Sequence, residues 1–157
     1  MTGEYLRMVL LGVLACMLVT AAVTDLRERI ISNRLNLAIA LTAPLYWWAS
    51  GIGLWPDVGI QLLLGLIIFA LFAGLFALGM MGGGDVKMLA ALALWFPWQA
   101  LLSLLFLMAL IGGVVTVVTV IHHRVSRKLG QPEVPYGVAI SLAALWLVGE
   151  RYINHFA

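Results

Sequence analysis

The chain has 157 residues, of which 64% are hydrophobic and only 10% are charged, and its mean hydropathy is +1.08. Because a water-soluble domain carries roughly 25% charged residues, this composition excludes both intrinsic disorder and an ordinary soluble domain. The net charge of +2 is too small and too scattered for a nucleic-acid-binding surface. The one cysteine, Cys16, excludes a disulfide framework and a cysteine-ligated zinc site, since each needs several cysteines.

Charged residues divide the chain into long uncharged tracts, which are typical of membrane-spanning helices. A helix needs about 20 residues to cross the hydrocarbon core of a bilayer, which is about 30 Å thick. The tract from Met88 to His123 is too long for one crossing, so we expect it to turn at Phe96-Pro97-Trp98. The sequence thus predicts an all-α polytopic membrane protein, a single integral-membrane domain over residues 1–157 without a soluble domain. Its six predicted transmembrane helices lie near 6–24, 36–55, 58–79, 85–97, 99–121 and 136–153.

Basic residues predict how the chain is oriented in the membrane. Most lysines and arginines lie in segments 25–35, 80–87 and 122–135, which would share one side, and loops rich in these residues face the cytoplasm. Both termini are therefore predicted to lie outside. The tryptophans support this orientation, because all six fall toward the outer helix ends, where an interfacial aromatic belt is expected: Trp47, Trp48, Trp55, Trp95, Trp98 and Trp146.

Two aspartates lie at the cytoplasmic ends of predicted helices, Asp25 at the exit of the first and Asp85 at the entry of the fourth. A carboxylate next to hydrocarbon is costly, so its first interpretation is functional. In the six-helix topology the two carboxylates lie at the same membrane face and can meet. A structural interpretation stays open, in which Asp25 pairs with Arg27 or Arg29 and Asp85 caps a helix N-terminus, where negative charge is favoured.

Three glycines, Gly82, Gly83 and Gly84, immediately precede Asp85. Each weakens a helix by about 1 kcal/mol relative to alanine, and irregular backbone at membrane depth is tolerated only where it is packed in protein or lines a cavity. We therefore expect these glycines to adopt backbone angles that other residues resist and to leave room for an extended peptide beside the carboxylate. A phosphate-binding loop is the weaker interpretation, because the chain has no G-x-x-x-x-G-K-[ST] motif.

Three sequence blocks together resemble the type IV prepilin peptidases, which are intramembrane aspartic proteases. Gly82-Gly83-Gly84-Asp85-Val86-Lys87 matches the G-x-G-D signature of these proteases and its continuation. Asp25-Leu26-Arg27 with Ile31-Ser32-Asn33 is similar to the family's D-x-R and I-x-N elements. Pro135-Tyr136-Gly137 is similar to the P-[YF]-G element that opens its last helix. The blocks occur in the expected order along the chain.

The resemblance implies an enzyme that cleaves the leader peptide from type IV prepilins and pseudopilins at the cytoplasmic face of the bacterial inner membrane. Pilus or secretion machinery would supply further partners, and Asp25 and Asp85 would be the catalytic residues. The chain looks like the short, peptidase-only form associated with tight-adherence (Flp-type) pili. Longer relatives carry a cytoplasmic domain with paired C-x-x-C zinc motifs and methylate the new N-terminus, whereas this chain has one cysteine. A separate enzyme would then supply the methylation.

A pair of carboxylates suits amide hydrolysis for a physical reason. A base must take a proton from water and an acid must protonate the leaving amine, and a close pair does both by sharing one proton, since two like charges cannot both ionise cheaply. The pair titrates as a unit, so the proton is assigned to neither Asp25 nor Asp85. Neither aspartate has a His or Cys companion at ligand spacing, so no metal and no cofactor are expected.

Residues around the aspartates are further candidates for substrate binding or for shaping the site, as the resemblance implies: Gly82, Gly83, Gly84, Lys87, Arg27, Asn33, Pro135, Tyr136 and Gly137. From the residues alone, Lys87 is expected to extend to the lipid headgroups, because positions i and i+2 on a helix do not face each other. Arg27 is expected to enforce topology, and Asn33 to satisfy backbone groups at a helix end.

Two other classes of function stay open. Paired intramembrane acids also mark proton relays, so a small proton-coupled transporter is the second hypothesis. It would place acids near the bilayer midplane and broken helices in both halves of a repeat, whereas both aspartates lie at one face and the sequence shows no repeat. The third hypothesis, a non-enzymatic pilus-assembly subunit, leaves the glycine segment unexplained.

Overall fold

The computed structural model describes residues 2–125 and 134–156, and this part of the chain is all-α, as the sequence predicts. A five-residue π-helical turn, Leu54–Val58, leads into the third helix. The turn expected within 88–123 is confirmed, because one helix ends at Ala93 and the next begins at Trp98. The six helices of the described residues are α1 (Thr2–Glu28), α2 (Asn33–Ala49), α3 (Gly59–Ala77), α4 (Gly83–Ala93), α5 (Trp98–Val125) and α6 (Tyr136–Phe156).

Three helical segments are long and apolar enough to cross a membrane, namely Gly3–Glu28, Leu54–Ala77 and Trp98–Val125. They support a polytopic membrane protein. Helix α4 has 11 residues and is therefore about 16 Å long, roughly half the thickness of the hydrocarbon core. That α2, α4 and α6 also cross the membrane stays a prediction.

The second helix is shorter than the sequence indicated. It ends at Ala49 rather than near 55, where the backbone N–H of Ser50 donates to the carbonyl of Tyr46 and that of Gly51 donates to the carbonyl of Trp48. Gly51 follows with a φ of 67°, a left-handed conformation that glycine adopts without strain and that does not continue a helix. The chain then turns through 50–58 before α3 begins.

Helices α4 and α6 lie at the centre of the packing. Helix α4 contacts α2, α3 and α6, while α6 contacts α1, α4 and α5. Most of α4 is buried, including Met88, Leu89 and Leu92. The outer helices α3 and α5 expose large apolar side chains along much of their length, as expected for surfaces that face lipid.

Helix α4 ends inside the protein, and side chains from three other helices bond to the carbonyl groups at its end and in the residues directly after it. The side-chain amide of Gln61 donates to the carbonyls of Ala93 and Phe96 at 2.8 and 2.6 Å. The indole of Trp47 donates to Leu94 at 2.7 Å, and the Arg151 guanidinium donates to the carbonyl of Trp95 at 3.2 Å. Unsatisfied carbonyl groups away from water are costly, so these bonds allow a short helix to end within an apolar protein.

The predicted tryptophan belt is wrong for two of its six members. Trp47 and Trp95 are 8% and 2% exposed, and their indole N–H groups donate to the backbone carbonyls of Leu94 and Ile39. These two side chains therefore hold helices together inside the protein. The exposed members are Trp48, Trp55, Trp98 and Trp146.

The orientation predicted from the basic residues can be tested by cysteine labelling on a Cys16→Ser background. Leu54→Cys should react with a membrane-impermeant maleimide added to intact cells, whereas Arg34→Cys should react only after permeabilisation, because basic loops stay in the cytoplasm. Both side chains are exposed in the structure. Labelling of position 34 from outside intact cells would show that the predicted orientation is wrong. Lys128, which also contributed to the orientation, lies outside the described residues.

Candidate active site

Asp25 lies in the last turn of α1 and is only 5% exposed. Its Oδ2 atom accepts a hydrogen bond of 2.9 Å from the backbone N–H of Val138. Val138 belongs to the first turn of α6, where backbone N–H groups have no partner within their own helix. The carboxylate of α1 therefore caps α6, and it faces the positive end of that helix dipole.

Asp85 is the third residue of α4 and is 9% exposed. Its carboxylate lies beside Gly82, the N-cap residue, because a Cβ atom added at Gly82 would lie 3.0 Å from Asp85 Oδ2. This is the position from which an acidic residue bonds back to the N-cap in a capping box, and negative charge is favoured in the first turn of a helix. The position of Asp85 therefore fits its interpretation as a helix cap and is compatible with a second role.

The two aspartates are brought to the same end of the helical bundle. The negative charge of Asp25 acts on Asp85, while Arg29 is the basic residue whose charge acts on Asp25. Both side chains belong to the few buried polar or charged residues of the described chain. When the charge of one buried carboxylate acts on another, the two can share a proton, which is what general acid and base chemistry needs.

Ile31 lies between the two glycine motifs of the site and is 6% exposed. A Cβ atom added at Gly84 would lie 3.1 Å from the Ile31 carbonyl oxygen, and one added at Gly137 would lie 2.5 Å from Ile31 Cδ1. The same added atom at Gly137 would lie 2.9 Å from the Asp25 carboxyl carbon. Both glycines are therefore required by close packing around Ile31. Ile31 belongs to the Ile31-Ser32-Asn33 block, but the sequence did not identify it as a residue of the site.

The expectation for the backbone of the three glycines is wrong. Gly82 is extended with φ −72° and ψ 141°, and Gly83 and Gly84 lie in the first turn of α4. The left-handed glycine of this segment is Gly79, with a φ of 70°. The three glycines matter for their small size. It allows close contact with Phe76, Ile31 and the Asp85 side chain.

Asn36 is a polar residue of the site that sequence reasoning missed. Its side chain is 4% exposed, and its Nδ2 atom donates a 2.9 Å hydrogen bond to the carbonyl of Gly84, the residue before Asp85. Its Oδ1 atom is buried without a hydrogen-bond partner among the described residues. The sequence does contain one signal that could have indicated Asn36, because it is an asparagine one turn after Asn33 at the start of an uncharged tract.

Lys87 and Asn33 interact with each other on a different side of α4. The Lys87 ammonium donates to Asn33 Oδ1 at 2.7 Å, so Lys87 reaches across to α2 rather than only toward headgroups. The expected capping role of Asn33 is wrong, because Ser32 accepts the N–H of Leu35 and caps α2. Arg27 is exposed.

The Pro135-Tyr136-Gly137 block forms the start of α6. Pro135 is buried and directly precedes the helix, and Tyr136 is its first residue. The Tyr136 ring packs near Gly112 of α5, where an added Cβ would lie 3.7 Å from the ring. The block therefore orients the first turn of α6, whose N–H groups bind Asp25.

The fold and the site define a helical membrane protein with a buried pair of carboxylates at one end. The model of the type IV leader peptidase family (Peptidase A24) matches residues 12–117, and the chain belongs to this family. No solved structure matches the chain.

Curated relatives of the chain are named prepilin leader peptidase/N-methyltransferase. The protein of Aeromonas hydrophila is 32% identical over 159 residues, which cover 92% of this chain and 54% of the relative. The protein of Bacillus subtilis is 26% identical over 147 residues, which cover 89% of this chain and 56% of the relative. The chain thus spans little more than half the length of these relatives.

Gly137→Ala tests the close packing at the start of α6. The new methyl group would overlap Ile31 and the Asp25 carboxylate, so we expect the free energy of unfolding to fall by about 1–3 kcal/mol. Thermal unfolding in detergent measures the change. Gly149→Ala is the matched control, because it lies on the same helix and an added Cβ there meets nothing within 4 Å. Equal stability of the two variants would contradict the packing argument.

Proposed function

We propose that this protein is an intramembrane aspartic endopeptidase that removes the leader peptide from type IV prepilins and pseudopilins. Membership of the type IV leader peptidase family supports the reaction class. The observation that carries the proposal is the burial of Asp25 and Asp85 at one end of the bundle, with the charge of one acting on the other. We propose that they lie at the cytoplasmic face of a bacterial inner membrane, in one membrane domain.

In the proposed reaction, the carboxylate pair carries one proton. The ionised carboxylate takes a proton from water, whose oxygen attacks the scissile carbonyl carbon. The protonated carboxyl gives its proton to the carbonyl oxygen, so that a neutral tetrahedral intermediate forms. The carboxyl that took the proton from water then passes it to the leaving amine as the C–N bond breaks, and the first carboxylate takes back its proton as the carbonyl re-forms. The hydrogen bond from the N–H of Val138 holds the Asp25 carboxylate in place during these steps.

The position of the pair suits a substrate with a polar leader and an apolar stretch. The leader would stay in the cytoplasm while the apolar stretch packs among the helices, so that the scissile bond lies at the membrane edge beside the aspartates. We further propose an Flp-type precursor and the absence of methylation by this chain. In support, the chain has one cysteine and cannot build the paired C-x-x-C motifs. A separate enzyme would methylate the product.

The aspartate pair can be tested by Asp25→Asn and Asp85→Asn. Each variant should abolish cleavage of a prepilin precursor, because an amide keeps the shape but cannot take up or deliver the proton. The double variant should be no worse than either single variant, since residues that act as one unit are non-additive. Asp25→Glu and Asp85→Glu should lose roughly a hundredfold in rate, as about an ångström of displacement does. Mass spectrometry of the product, per amount of inserted protein, measures cleavage.

The control for these variants is Asp57→Asn, because Asp57 is exposed in the turn before α3, at the other end of the bundle. It should cleave at the normal rate. Near-normal turnover by Asp25→Asn or Asp85→Asn would contradict the aspartic mechanism. The proton-coupled transporter would then be the better hypothesis.

Cleavage should also continue in the presence of metal chelators. A carboxylate pair performs acid and base chemistry without a metal, and neither aspartate has a His or Cys companion at ligand spacing. The rate of precursor cleavage by the purified protein in lipid would be measured with and without EDTA. Loss of activity that zinc restores would identify a metalloprotease instead.

A further inference from the structure

A groove of about 590 Å³ runs between α2, α3 and α4, on the side of α4 that carries Lys87. Positions 87, 90 and 91 of α4 line it, together with position 94 directly after the helix, whereas Asp85 lies on another face of that helix. The groove is therefore separate from the aspartate pair. It is polar at one end and apolar along the rest, where leucines dominate the walls: Leu37, Leu62, Leu66 and Leu94.

The polar end has one cation and two amides. The Lys87 ammonium can donate three hydrogen bonds, of which Asn33 Oδ1 accepts one at 2.7 Å. Asn36 also lines the groove, and its buried Oδ1 atom has no partner among the described residues. Among the described lining residues there is no carboxylate. This end is therefore suited to an anion that also carries hydrogen-bond donors.

The groove is too short for a membrane-spanning helix. From Lys87 to Leu94 the wall of α4 rises about 10 Å, against a hydrocarbon core of about 30 Å. The polar end lies at the same end of the bundle as the aspartates, because Asn36 binds the carbonyl of Gly84. On the proposed placement of the aspartates at the membrane face, the groove occupies a single leaflet, with its polar residues at the headgroup level.

We propose that this groove binds one anionic phospholipid of the phosphatidylglycerol type. The phosphate binds the Lys87 ammonium, a headgroup hydroxyl donates to Asn36 Oδ1, and an acyl chain lies against the leucines. The lipid thus contacts Asn36, which holds the first turn of α4 next to Asp85, and Lys87, which bonds Asn33 of α2. The site goes beyond the proposed peptidase activity, and its occupancy does not depend on cleavage.

Native mass spectrometry of the purified protein in detergent tests the site by titration with phosphatidylglycerol or phosphatidylcholine of the same acyl chains. One phosphatidylglycerol should bind about fivefold more tightly than phosphatidylcholine, as expected for one lysine near the membrane surface. Lys87→Gln should remove this preference. Arg34→Gln is the matched control and should keep it, because Arg34 is exposed at the same end of α2 but does not line the groove.

A second variant keeps the test valid if Lys87→Gln fails to fold. Ala90→Phe fills the groove while Lys87 remains, and it should abolish binding of both lipids at this site. Equal binding of the two lipids by the wild-type protein, or an unchanged preference in Lys87→Gln, would overturn the proposal. So would displacement by millimolar inorganic phosphate, which would show a site for a free anion.

A photoreactive residue at position 66, in the wall of the groove, identifies the occupant in membranes. An adduct with the mass of a phospholipid supports the proposal. An adduct with a precursor peptide would overturn it and assign the groove to substrate. Because neither readout uses cleavage, loss of peptidase activity in the aspartate variants leaves both readouts intact.

Discussion

The contact between the Asp25 carboxylate and the first turn of α6 is the interaction on which the site depends. It joins the end of the first helix to the start of the last, 113 residues away, through the N–H of Val138. The positive end of a helix dipole favours a negative charge there, which stabilises a carboxylate that burial would otherwise penalise. The same bond that holds two helices together therefore also orients the side chain proposed to act on substrate.

The short helix α4 shows how a buried carboxylate can be held at one end of a helical bundle. Its N-terminal turn is secured by Asn36 of α2, and its final carbonyls accept from side chains of α2, α3 and α6, among them Gln61 and Arg151. The guanidinium of Arg151 also lies 5.0 Å from the centre of the Phe96 ring. Because both ends are bonded to neighbouring helices, α4 can be only 11 residues long and still present Asp85 at a defined place.

Close packing explains two of the sequence blocks better than backbone freedom does. Ile31 fills the space between Gly84 and Gly137, and neither glycine has the left-handed backbone that would itself require glycine. A methyl group at either position would press on Ile31, and at Gly137 it would also press on Asp25. The glycines therefore let three helix ends approach closely enough for the two aspartates to interact.

The sequence by itself determined that the chain is helical and that Asp25 and Asp85 are unusual acids, because uncharged tracts and isolated acids in an apolar chain are local signals. Which side chains meet was decided by tertiary structure. The sequence indicates interfacial positions for Trp47 and Trp95, and only the structure shows that they donate to buried carbonyl groups. The sequence around Asn36 contains no signal comparable to the one around Asp85. Periodicity and charge report the environment of one segment, whereas hydrogen bonds between residues about 50 to 113 positions apart depend on how the helices pack.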